Sequence, residues 1–177
     1  MIIRQARIED VKNIRRLIKE NTIPRDFTGK TGLVEYPLQS QKEYNYRIKS
    51  ELFLVCQQRD KISGFFASFT NGFLETLPKS ELTTYILSKP RPFVYGDLIV
   101  VDKENRFGII STSLFEICFK IMKKLGIFRF YGAIASYPFK NIQSIKLARH
   151  IGLKCEDEFA LSNGLVFGIY NKLLNKE

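Results

Sequence analysis

The chain has 177 residues, of which 45% are apolar, 26% charged and 13% aromatic, a mixture that excludes disordered and fibrous classes and suits one compact domain over residues 1–177. At this length roughly 70% of the unfolded surface can be buried, so a core needs no covalent staples. Three widely spaced cysteines (Cys56, Cys118, Cys155) and a single histidine (His150) offer neither a disulfide framework nor a metal-ligand set, and Lys plus Arg exceed Asp plus Glu by 28 to 18 for a net charge of +10.

That charge suits an anionic partner such as nucleic acid, an acidic lipid surface or a phosphorylated ligand. It is dispersed, with 16 basic against 10 acidic residues before position 93 and 12 against 8 from there on. The chain opens with a strand over residues 1–5 and continues in a segment where Val11, Ile14, Leu17 and Ile18 recur at helical spacing. Arg4, Arg7, Glu9, Asp10 and Lys12 interrupt the apolar run that a secretion signal needs, and no stretch reaches the ~18 apolar residues of a membrane span, so a cytoplasmic protein is expected.

Residues 21–50 are polar and aromatic, with a loop at Thr28-Gly29-Lys30-Thr31-Gly32 and a second helix over 41–50. Residues 51–58 and 62–69, joined by the polar turn at 59–61, form a hairpin whose alternation puts Phe65 and Phe69 on one face and Phe66 on the other. A short helix over 78–89, N-capped by Ser80, ends at Pro90-Arg91-Pro92. A strand over 93–101 and a polar turn at 102–105 lead to a long helix over 109–125, with Ile110, Leu114, Ile117, Cys118, Ile121 and Leu125 in register and Gly126 at its C′ position. A strand over 127–136, a helix over 141–151 ending at Gly152, and strands over 158–162 and 165–170 joined by Asn163-Gly164 complete the pattern. A mixed sheet with helices on both faces follows.

The chemically informative junction is the turn before the 109–125 helix. A helix N-terminus presents unpaired N–H groups and the positive end of a dipole, so residues Asn105 to Ser111 suit an anion, phosphate above all, and Gly108 removes a side chain where a ligand would approach. Read with Asn141, Ser144, Leu147, Gly152 and Leu153 further on, this junction resembles the GNAT superfamily of acyl-CoA-dependent N-acetyltransferases. There a strand leads into a Gln/Arg-x-x-Gly-x-Gly/Ala loop and a long helix, and a later helix carries Asn-x-x-Ala/Ser-x-x-Leu-Tyr-x-x-x-Gly-Phe. The opening Ile3-Arg4-Gln5-Ala6 with Glu9-Asp10-Val11 and Ile14 is similar to that family's first strand and helix, so the resemblance covers nearly the whole chain.

The resemblance implies an α/β (α+β) fold with a largely antiparallel central sheet of about seven strands and a splayed parallel pair forming the cofactor cleft. It implies acetyl-CoA or another acyl-CoA as co-substrate, no metal, an amine-bearing acceptor, no membrane, and a monomer or homodimer. The loop Asn105, Arg106, Phe107, Gly108, Ile109, Ile110 and Ser111 would cradle the pyrophosphate, backbone groups of Leu98, Ile99 and Val100 would pair with the pantetheine arm, and Asn141 and Ser144 would flank it. Lys103, Arg106, Lys140 and Arg149 are the candidates for the outer phosphates.

Three positions depart from the pattern. Asn105 stands for Gln or Arg, Ile110 replaces a small residue and is expected to crowd the phosphates, and the tyrosine that often protonates the leaving thiolate aligns with Ala148. Attack of an amine on a thioester needs a route for the amine proton and a donor for the carbonyl oxygen. The catalytic candidates are Asp97 and Tyr137, with Glu75 and Tyr95 nearby. An acid inside an apolar run sits on an exposed face or in a site, and exposure is the commoner outcome. His150 reads as surface or helix-end chemistry, Cys118 as core, and one or two of Phe65, Phe66, Phe69 and Phe73 as lining for an acceptor pocket beside residues 78–89. Ala148 and Ile110 also leave open a catalytically inactive CoA-binding or regulatory module. No recognisable motif supports a nucleic-acid partner.

Overall fold

The computed structural model describes residues 1–105 and 108–175. Among these, β1 (Ile2–Gln5) leads through a 3-10 turn into α1 (Val11–Asn21), whose Val11, Ile14, Leu17 and Ile18 are buried as their spacing predicts. Two-residue strands β2 (Thr22–Ile23) and β3 (Leu33–Val34) pair in parallel before α2 (Gln41–Arg47). That helix starts at a capping box in which the Ser40 hydroxyl accepts from Glu43 N–H (3.2 Å) and the Glu43 carboxylate accepts from Ser40 N–H (2.7 Å). β4 (Phe53–Gln58) and β5 (Lys61–Thr70) form the expected hairpin. Two short helices follow, α3 (Asn71–Glu75) and α4 (Glu81–Leu87), with Ser80 capping the latter. Then come β6 (Val94–Val101), α5 (Ile109–Lys124), β7 (Arg129–Tyr137), α6 (Ile142–His150), β8 (Lys154–Ala160) and β9 (Val166–Leu173).

The seven longer strands make one sheet in the order β1-β4-β5-β6-β7-β9-β8, antiparallel except for β6 and β7. The expected α/β class with a largely antiparallel seven-stranded sheet is what the structure shows. α1 and α2 cover one face, over Phe53, Phe65, Phe69 and Tyr95; α5 and α6 cover the other, over Leu54, Phe66 and Phe130. The alternation of Phe65 and Phe69 against Phe66 is therefore as expected. Among the described residues, no helix is long and apolar enough to cross a membrane.

The differences from the sequence expectation lie where side chains carry little pattern. β8 begins at Lys154, earlier than residue 158, because its Lys-Cys-Glu-Asp-Glu run is an exposed sheet edge held by its ladder to β9 and not by burial. The loop at Asn163-Gly164 is wider than a two-residue turn: Gly164 N–H donates to Leu161 O (3.0 Å) and Leu161 N–H to Leu165 O (2.8 Å). In α5 the stripe buries Phe115 and Met122, while Leu125 is partly exposed past the helix end.

Candidate functional site

The site is created by one extra residue in β6. Along the β5–β6 ladder Ala67 pairs with Leu98 but Ser68 pairs with Gly96, so Asp97 is a β-bulge without an opposite number. A bulge bends its strand and increases local twist. On the other side, β6 pairs with β7 only at Val94–Phe130, Tyr95–Tyr131 and Gly96–Gly132. Beyond Gly96 the two strands part, and the far half of β6, Asp97 to Val101, carries no ladder toward β7. Gly96 is needed at the parting point because a Cβ there would lie 2.5 Å from Phe130 Cζ and 3.0 Å from Phe66 Cζ.

Two cavities meet in this opening. An inner one of about 400 Å³ runs between the strands and reaches Tyr36, Arg47, Tyr95 and Asp97 on the α1 and α2 side, and Phe115, Ala148 and Tyr170 on the α5 and α6 side. An outer one of about 800 Å³ reaches Asn105, Gly108, Ile109, Ser111 and Thr112 at the start of α5. Gly32, Leu33, Ile99, Asn141, Ser144 and Leu147 line both, so the passage is continuous.

At the outer end, Gly108 caps α5 with φ +89°, a left-handed conformation that glycine adopts without strain, and a Cβ there would meet nothing within 4 Å. Its carbonyl accepts from Thr112 N–H (3.0 Å) and from the Ser111 hydroxyl (3.0 Å). The first-turn N–H groups of α5 have no partners within the helix, as at the start of any α-helix. Ile110 is 3% exposed and packs toward Gly64 in the core. The expected crowding of the phosphates by Ile110 is thereby corrected: the residue that faces the opening is Ile109, 68% exposed. Arg106 and Phe107 lie outside the described residues. The basic groups lining this cavity are Lys30, Lys146 and His150; Lys103, Lys140 and Arg149 do not line it. Lys30 arrives through residues 28–32, which dock on α6 by Gln143 N–H to Lys30 O (3.2 Å) and Asn141 Nδ2 to Gly32 O (3.0 Å). Asn141 also caps α6, accepting from Ser144 N–H (3.1 Å).

At the inner end, Asp97 Oδ2 accepts from Arg47 Nη1 (3.0 Å) and from the Tyr36 hydroxyl (3.4 Å), with side chains 15% and 10% exposed for Asp97 and Arg47. The exposed setting expected for Asp97 is overturned: its side chain lies in the cavity wall against Arg47 and Tyr36. Arg47 also lies over the Phe69 ring, 5.6 Å from its centroid. Burial lowers the affinity of Arg47 for its proton, but Asp97 outweighs this and holds the guanidinium charged. Burial first, and the Asp97 charge second, push the Tyr36 and Tyr95 hydroxyls well above their ordinary range, so both stay protonated. Burial likewise raises Tyr44, to about 12.

The other candidates scatter. Tyr137 is 64% exposed and lies outside both cavities. Glu75 pairs with Arg91 (2.5 Å), away from the site. Of the four phenylalanines only Phe66 reaches the inner cavity, while Phe73 stacks on Phe69 and Tyr46. Ala148 lines the cavity without a hydroxyl, and Tyr170, whose hydroxyl is raised by burial and by Cys155, lines it too. Sequence reasoning missed Arg47 and Tyr36. The available signal for the first was Tyr44, Arg47 and Ile48 at i, i+3, i+4, an arginine inside an apolar helix stripe.

No family model and no curated protein sequence matches this chain. Solved structures do, over almost its whole length. An N-acetyltransferase from Staphylococcus aureus Mu50 superposes with a TM-score of 0.66 at 19% identity, covering 98% of each chain. A ribosomal-protein-alanine N-acetyltransferase from Brucella melitensis gives 0.67 at 16%, covering 98% of this chain and 100% of its own. A chain of the NatC complex, in a structure bound to Gag peptide and CoA, gives 0.68 at 14%, covering 98% of each. The chain has the GNAT N-acetyltransferase fold. Within that fold, β6 and β7 are the splayed parallel pair that the sequence resemblance anticipated.

Proposed function

We propose that this protein is an N-acetyltransferase that moves an acetyl group, or a related acyl group, from acyl-CoA to an amine by direct attack in a ternary complex. The observation that supports this most is the continuous passage between β6 and β7, with a helix N-terminus at one end and the Asp97 carboxylate at the other. When bound, acyl-CoA supplies the activated thioester. The residues fit it: the open turn at Gly108 and the first N–H groups of α5 suit the pyrophosphate, Lys30, Lys146 and His150 suit its outer phosphates, and the unpaired edge at Leu98, Ile99 and Val100 suits an extended arm between the strands.

In the reaction a C–N bond forms, the C–S bond breaks, one proton leaves the amine and one is taken up by the departing thiolate. Asp97, paired with Arg47 at 3.0 Å, sits where it balances the charge of an arriving ammonium. Proton removal then runs to water in the passage or to Asp97. Tyr170 and Tyr95 keep their protons and line the same cavity, so they are the hydroxyls available where Ala148 has none. Isothermal titration with acetyl-CoA and release of free CoA thiol in the presence of amines test the reading; absence of binding at millimolar acetyl-CoA overturns it.

A further inference from the structure

We propose that the acceptor is a small amino acid with an apolar side chain, its carboxylate taken by Arg47 and its amine placed at Asp97. This rests on the acyl-transfer reading and adds the substrate class. Arg47 is 8% exposed, lines the inner cavity, and gives one of its five N–H groups to a protein acceptor among the described residues, that to Asp97 Oδ2. A buried guanidinium with unused donors on a cavity wall is built for a planar, bidentate anion such as a carboxylate.

The charge balance selects the rest of the molecule. Arg47 and Asp97 present one positive and one negative group 3.0 Å apart, which matches an ammonium and a carboxylate close together on one carbon skeleton. The other carboxylate lining this end, Glu35, is neutralised by Arg25 at 2.6 Å. A polycation would find a single carboxylate already shared with an arginine, and an amine without a carboxylate would leave the Arg47 donors unsatisfied. The remaining wall is mostly apolar, with Leu33, Val34, Leu82, Leu161 and Leu165 set among Gln39, Ser80, Thr83 and Asn163.

Size follows from how the rim is tied. Arg25 joins Glu35 to the carbonyl of Asn163 (2.7 Å), and Glu81 accepts from Ser162 N–H (2.9 Å) and its hydroxyl (2.5 Å). The three segments lining the acceptor end are thus linked to one another at one end of an inner cavity whose whole volume is about 400 Å³, the scale of a small-molecule pocket. Nor is the ion pair explained by stability, since apolar replacement of such pairs is often neutral.

The test uses the full chain with acetyl-CoA and compares leucine, methionine and phenylalanine with isoamylamine, 3-(methylthio)propylamine and phenethylamine, and with spermidine and a short peptide. The expected result is a kcat/KM for the amino acids at least about tenfold above their decarboxylated counterparts. In Arg47→Lys, which keeps the charge but loses the fork, that ratio falls toward one; a ratio is read within one protein preparation and is insensitive to partial loss of fold. Faster acetylation of the amines, spermidine or the peptide overturns the proposal, as does an unchanged ratio in Arg47→Lys. Acetyl-CoA binding without turnover of any amino acid overturns the acceptor class while leaving the acyl-CoA reading standing; absence of acetyl-CoA binding overturns both.

Discussion

Asp97 and Arg47 are the residues on which the inner site turns, and their energetics can be separated from their function. Asp97→Ala leaves a buried guanidinium uncompensated and is expected to lower unfolding stability by about 3–5 kcal/mol in a urea titration. Asp97→Leu with Arg47→Met removes both charges and recovers most of that loss, while thiol release stays at background. Gly108→Val forces a β-branched residue into φ +89°, so it costs about 1–2 kcal/mol and weakens acetyl-CoA binding by titration calorimetry. Cys118 is fully buried, its thiol pushed up to about 12, and Cys56 is buried too, whereas Cys155 is exposed. One of the three thiols is therefore expected to react rapidly with Ellman's reagent in the native protein, and all three after denaturation. At this scale the sequence was legible at Gly108, whose missing side chain leaves the turn before α5 open. It was misleading at two side chains: Ile110, read both as part of the α5 stripe and as crowding the phosphates, turns into the core, and Asp97, expected on an exposed face, lines the inner cavity.

Elements were legible in proportion to their burial. α1 and α5 carry periodic apolar stripes and form as expected, and the β4–β5 hairpin follows from alternation. β8, whose side chains face solvent, and the two-residue strands β2 and β3, which owe their existence to long-range contacts, left no local trace. The bulge in β6 belongs to the same class, because an extra residue can be recognised only against the partner strand. Its neighbour gives a direct test. Gly96→Ala drives a Cβ against Phe130 and Phe66, an overpacking worth about 1–3 kcal/mol, so Tm falls by several degrees in a thermal melt. The clash also narrows the mouth between β6 and β7, so the Michaelis constant for acetyl-CoA rises.

For the whole molecule, the +10 charge turned out to say less about partners than the positions of a few buried groups. Asp10 shows the effect on stability. Burial raises its carboxyl, but the Arg4 guanidinium (2.7 and 3.0 Å) and the Arg7 N–H (2.8 Å) outweigh burial and hold it below its usual 3.8. A depressed folded-state value contributes stability above the unfolded value and loses it as pH falls through the folded one, so this contribution fades below about pH 4. Asp102, held down by Lys61 against its own burial, acts in the same direction. Asp10→Asn should cost about 1–3 kcal/mol at neutral pH and flatten the acid limb of a stability-against-pH curve. The passage through the sheet has a wider meaning. Its outer end is built by the β6–α5 junction and α6, its inner end by residues 33–47, 78–83 and 161–165, with six shared residues between. On the acyl-transfer reading proposed above, grafting different inner segments onto the same junction is expected to change the acceptor while the acyl donor stays the same.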